Sequence, residues 1–202
     1  MKSFILILLL SFPSFITAQE SKDILNPDVG LVWLGCDFSK VRFTKAEEFT
    51  NKDQILRFFV DCNNVVKNAP NMEQVGKRLK REVIEDFSYV TAKNEKVNWE
   101  SVYSDDLDYS LSDDDLKEMI KELSIDQEKY KGHIGLVFCE ENYSKTNEEA
   151  TLACLFFRVD DLEILHIKRD AFRPKGYGFM NYWSYPNRQA MWYLSDMKKA
   201  VK

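Results

Sequence analysis

Residues 151–159, TLACLFFRV, constrain this chain more than any other stretch. Apolar residues occupy successive positions, so neither side of such a strand can face water. A strand of this kind lies in the interior of a sheet and is covered. Two further strand candidates flank it, at 133–139 and 163–169. The last one alternates, with Leu165 and Ile167 opposed to Ile164, His166 and Lys168. That is the pattern of a half-exposed strand nearer the sheet edge. Asp160-Asp161 makes the tight connection before it.

Earlier in the chain, residues 30–43 (GLVWLGCDFSKVRF) read as a strand bent at Gly35. A helix begins at Thr50, with Asp53 in its capping turn. Ile55, Phe59, Cys62 and Val66 step along one face of it, and Asn68-Ala69-Pro70 ends it. Asn71 caps a predicted second helix, in which Met72, Val75, Leu79 and Val83 share a face. Residues 87–92 read as a short strand. Ser112 with Asp115 is an N-cap signature, and Leu116, Met119, Ile120 and Leu123 mark the helix behind it. The tail from Ser184 is helical, with Ala190, Leu194, Met197 and Val201 on one face. The predicted architecture is a single α+β domain over residues 30–202: a mainly antiparallel sheet with helices packed on it and a C-terminal helix. Residues 19–29 are a loose polar leader.

The first 18 residues have the order of a secretory signal peptide. Lys2 is the positive start, residues 4–16 are an apolar run, and Ala18 precedes the cleavage point. The run is shorter than the roughly 20 residues a spanning helix needs and contains Pro13. No later segment reaches that length, so no membrane span is expected in the mature chain. The expected location is the periplasm or outside the cell. The chain has 202 residues, 28 Lys+Arg and 33 Asp+Glu, a formal charge of −5. An acidic total argues against nucleic acid as a partner. Export makes an envelope protein the class of partner to look for, with its identity open.

Chemistry-bearing patterns are weak. Cys36, Cys62, Cys139 and Cys154 include no Cys-x-x-Cys, and His133 and His166 are the only histidines. Neither a zinc site nor thioredoxin-like chemistry is supported, and no metal or cofactor is expected. The cysteines are expected as buried thiols. If one bridge forms, Cys139–Cys154 is the pairing a hairpin favours. Asp105, Asp106, Asp108 and the run Asp113–Asp115 invite calcium. The spacing fails, because a loop opening at Asp106 places Leu111 where Gly is required and Lys117 where the bidentate Glu belongs. Lys77, Arg78, Lys80 and Arg81 read as the wet face of a helix. His133 and Cys139 would lie about 20 Å apart along one strand. Asp160, Asp161 and Glu163 read as an exposed turn rather than a catalytic pair. Gly176-Tyr177-Gly178 lacks the third glycine of a dinucleotide loop, since Asn181 stands there. Asn142-Tyr143-Ser144 is a glycosylation sequon only for a eukaryotic secretory pathway.

Four stretches resemble a group of exported, functionally uncharacterised proteins of Gram-negative bacteria. They are LVWLGCDFSKV at 31–41, DLDYSLSDDDLKEMI at 106–120, HIGLVFCEENYSKTNEEATLACLFFRVDDLEIL at 133–165 and KGYGFMNYW at 175–183. The resemblance spans most of the mature chain and implies one recurring domain. It implies no activity, substrate or catalytic residue.

Seven of the 17 residues at 177–193 are aromatic. Phe179 and Trp183 are expected to anchor the turn and helix start in the core. Tyr177, Tyr182 and Tyr185 are the candidate binding residues, as Tyr keeps a polar tip for a partner. No catalytic residue is assigned. The function this supports is a non-catalytic binding or interaction domain. The alternatives are a hydrolase whose site assembles only in three dimensions, or a structural subunit of an envelope assembly.

Overall fold

The computed structural model describes residues 23–49, 52–67, 76–77 and 80–194. The export signal, Met72, Val75 and Leu79 of the predicted second helix, and Met197 and Val201 of the tail lie outside the described residues. Seven strands form one sheet: β1 (Leu31–Asp37), β2 (Arg42–Thr44), β3 (Val83–Glu85), β4 (Tyr103–Ser104), β5 (Ile134–Ser144), β6 (Glu149–Arg158) and β7 (Ile164–Phe172). Among the described residues the α-helices that pack on it are α1 (Lys52–Lys67), α2 (Ser88–Asn94), α3 (Asp113–Glu122) and α4 (Phe179–Leu194).

β5 organises the sheet. One edge pairs antiparallel with β6, which pairs antiparallel with β7. The opposite edge pairs in parallel with β1 along its start and with β2 along its end. β3 adds in parallel outside β1, and β4 outside β2. The path β3-β1-β5-β2-β4 is parallel throughout, so the fold is α/β. This overturns the expected mainly antiparallel α+β sheet. The antiparallel unit β5–β6–β7 is local in sequence and easy to read. The parallel partners come from far up the chain through helical crossovers, and β2, β3 and β4 are two or three residues long. No alternation can be read from so few positions. Val83 lies in β3, not in a helix, and residues 88–94 form α2 where a strand was expected.

The parallel sheet carries a layer on each face, as parallel sheets require. On one face Trp33, Cys36, Phe138, Leu152, Cys154 and Phe156 meet Ile55, Phe59, Cys62 and Val66 of α1 and Trp183, Ala190 and Leu194 of α4. On the other face Val32, Leu34, Val137, Cys139, Leu155 and Phe157 meet Val90 of α2 and Leu116, Met119 and Ile120 of α3. The two-sided apolar run at 151–159 serves both layers from an interior position between β5 and β7. α3 opens with the capping box read from its sequence, Ser112 Oγ accepting from Asp115 N. Lys40 then bridges Asp115 and Glu118.

Three irregularities reset which residues face which layer. Between Phe156 and Phe157, β7 holds one residue more than β6, so Ile164 and Ile167 share the α2–α3 face and Leu165 turns to the other, where strict alternation was expected to set Ile164 against Ile167. Between Trp33 and Cys36, β1 holds one residue more than β5, at Gly35 with φ 94°. Cys36 therefore joins Trp33 on the α1–α4 face. Between Glu140 and Asn142, β5 holds one residue more than β6. Tyr143 thereby turns to the same face as Glu140. Such bulges bend the ladder and re-aim side chains.

Candidate functional site

The turn 176–178 has two glycines at φ 122° and 76°, conformations that side chains resist. Tyr177 between them is thrown outward and is 94% exposed. Asn181 Nδ2 donates to the Tyr177 carbonyl at 3.3 Å, which fastens the turn to the first turn of α4. Opposite stands the outer side of α1. A groove of about 510 Å³ lies between them, lined by Gln54, Arg57, Asp61 and Asn64 on one wall and Tyr177 and Asn181 on the other. Arg57 Nε pairs with Asp61 Oδ2 at 2.9 Å. The groove is open and mixed in character, with an aromatic ring at its mouth.

The three candidate tyrosines do not converge. Tyr177 lines the groove. Tyr182 packs edge-on against Trp183, 5.0 Å between ring centres, and leans on the core. Tyr185 is half-buried, with Lys175 Nζ 5.8 Å and Arg188 Cζ 5.7 Å from its ring centre. Trp183 is 1% exposed and meets Phe49, Tyr143 and Phe179, the anchoring role expected of it.

Beneath α1 and α4 lies a polar cluster inside the aromatic layer. Glu140 is fully buried, and Tyr143 donates its hydroxyl to Glu140 Oε2 at 2.8 Å. Burial outweighs that bond and pushes the Glu140 carboxyl up to about 8. The Cys36 thiol lies beside the same carboxyl. Burial, with Cys62 next to it, holds the Cys36 thiol well above its ordinary pKa. Asn187 of α4 reaches Cys62 Sγ through Nδ2 at 3.4 Å. Glu140 Oε1 and Asn187 Oδ1 have no N–H or O–H donor among the described residues.

The other layer has its own buried charge. Asp37, also fully buried, pairs with Lys93 Nζ at 2.9 Å and accepts from Ser39 N. Glu141 accepts from Leu111 N and pairs with Arg169, each at 3.2 Å.

All four cysteines are free and buried. The bridge a hairpin favours, Cys139–Cys154, is ruled out by register. Cys154 stands opposite Phe138 and Cys139 opposite Ala153, so the two thiols lie on opposite faces of the sheet. His133 Nδ1 lies 3.1 Å from the Lys131 carbonyl. His166 faces Phe156 across the ladder, and burial followed by Lys168 lowers its pKa. Neither ring meets a carboxylate or a thiol among the described residues. Asp161 and Glu163 both pair with Arg158, and Asp160 accepts from Gly132 N. Arg81 of the basic run is buried and donates to the Ile24 carbonyl at 2.5 Å, rather than forming a wet face.

No protein-family model, curated protein or solved structure matches the chain. The residues that sequence reasoning passed over are Glu140, Tyr143 and Asn187. One signal pointed to the first two: Glu140-Glu141-Asn142 interrupts a strand that is otherwise apolar.

Proposed function

We propose that this protein is an exported, non-catalytic binding domain that holds its partner at the groove between α1 and the Tyr177 turn. The observation that carries the reading is Tyr177 itself. An aromatic ring 94% exposed at the mouth of a groove of about 510 Å³ does nothing for the core. Two glycines at positive φ, angles that residues with a side chain resist, hold it there. Tyr and Arg together are the residue types that dominate binding energy at interfaces, and Arg57 stands across the groove. The signal-like N-terminus and the resemblance to exported proteins support an envelope location. The hydrolase alternative draws less support. Burial raises the Cys36, Cys139 and Cys154 thiols, away from the thiolate a nucleophile needs.

The test places a photo-crosslinking residue at position 177 and, as a control, at position 192, and irradiates in the native envelope. Expected is a discrete adduct from position 177 alone. Its yield should fall when Arg57→Ala is added, with an unchanged melting temperature. Equal labelling from both positions would overturn the reading.

A further inference from the structure

We propose that Cys36 and Cys62 are a redox pair: a dithiol that closes to a disulfide between β1 and α1 by exchange with a disulfide oxidant. Two independent features bring the two cysteines together. The bulge at Gly35 turns Cys36 toward α1, where strict alternation would have sent it to the opposite layer. Asn63, next to Cys62 in sequence, grips the Cys36 backbone on both sides. Its Oδ1 accepts from Cys36 N at 2.7 Å, and its Nδ2 donates to Cys36 O at 3.2 Å. This fixes the spacing between strand and helix at the residue where the thiols meet. Cys36 and Cys62 are thus buried neighbours in one layer, and after burial Cys62 is the group that acts most on the Cys36 thiol. Asn187 Nδ2 approaches Cys62 Sγ from α4 at 3.4 Å.

The other cysteines are differently placed. Cys139 is on the far face of the sheet, beyond reach of the rest. Cys154 shares the layer of Cys36 but is held in β6, beyond β5 from β1.

The chemistry balances as two exchanges. A thiolate of the pair attacks one sulfur of a small disulfide and expels the other as a thiolate, which takes up the proton the attacker lost. The second protein thiol gives up its proton and attacks the mixed disulfide. It expels the remaining small thiolate, which is protonated in turn. Two protein thiols are oxidised and one small disulfide is reduced to two thiols. Both cysteines are fully buried, so the exchange belongs to folding, before α1 covers β1. Access controls such exchange as strongly as thiol chemistry does. The closed bond pins α1, one wall of the groove, to the sheet.

The test is to unfold and reduce the purified protein, refold it in a buffer of reduced and oxidised glutathione, alkylate free thiols, and map unreduced peptides by mass spectrometry. Expected is one bridged pair containing Cys36 and Cys62, with Cys139 and Cys154 alkylated. The same bridge should form in a Cys139→Ser, Cys154→Ser variant. A map with all four cysteines alkylated, with glutathione left on Cys36 or Cys62, or with Cys139 or Cys154 in the bridge, would overturn the assignment.

Discussion

Tyr143 and Glu140 share a hydrogen bond of 2.8 Å at a place where neither side chain reaches solvent. The phenol supplies Oε2 with a donor, and among the described residues no N–H or O–H reaches Oε1. A carboxyl so placed is held best with its proton on.

The consequence is a pH-dependent stability. The Glu140 carboxyl titrates near the ordinary glutamate value of 4.5 when unfolded and at about 8 when folded. Between those values the folded chain keeps a proton that the unfolded chain has lost. The stabilisation is fully present below about 4.5 and falls by about 1.4 kcal/mol per pH unit as pH rises. It levels off above about 8. Glu140→Gln should remove this slope and be the more stable protein in mildly alkaline buffer. Urea midpoints across the range, for wild type and variant, measure it.

The opposite layer depends on a charge pair. Lys93→Met leaves Asp37 buried and uncompensated, and should cost about 3–5 kcal/mol. Adding Asp37→Asn should recover part of that loss, because the stranded charge goes with it. Chemical denaturation of Lys93→Met, Asp37→Asn and the double variant tests the coupling.

Gly35→Ala should cost about 1–3 kcal/mol, the range for forcing a side chain into a left-handed backbone. A Cβ there would also meet Asn63 Oδ1 at 2.4 Å. Asn63→Ala should cost about 1–3 kcal/mol by orphaning the Cys36 N–H. Both act on one contact, so the double variant should cost less than the sum. A double-mutant cycle by urea unfolding reads this directly.

Trp183→Ala should destabilise by about 3–5 kcal/mol, as truncating a buried aromatic does. Tyr185→Ala should cost far less, and Tyr177→Ala almost nothing. Thermal melts of the three rank them.

Sequence reasoning found what is local. The α1 face, the Ser112–Asp115 cap, the bend at Gly35 and the three strands from 133 to 169 are all set by neighbours within a few residues. It missed what is not. Pairing of β1 with β5 depends on Leu31 meeting Ile134 across the chain, and no local period encodes a partner. The site divides the same way. Exposure of Tyr177 follows from its flanking glycines, which are visible in sequence. The cluster at Glu140 needs β1, α1, β5 and α4 at once. The bulges at Gly35 and Glu141 decide that Cys36 and Tyr143 face it.

Those bulges also govern which changes of chain length the protein can bear. Each is one surplus residue, so removing it restores strict alternation and leaves every side chain beyond it in its layer. Without Gly35, Cys36 would still stand opposite Phe138 and Asp37 opposite Cys139. Without Glu141, Asn142 and Tyr143 would still stand opposite Thr151 and Ala150. A residue lost or gained elsewhere within β1 or β5 exchanges the layers instead. Insertions and deletions among related chains should therefore gather at the two bulges and at the exposed turn 145–148, which has no alternation to disturb.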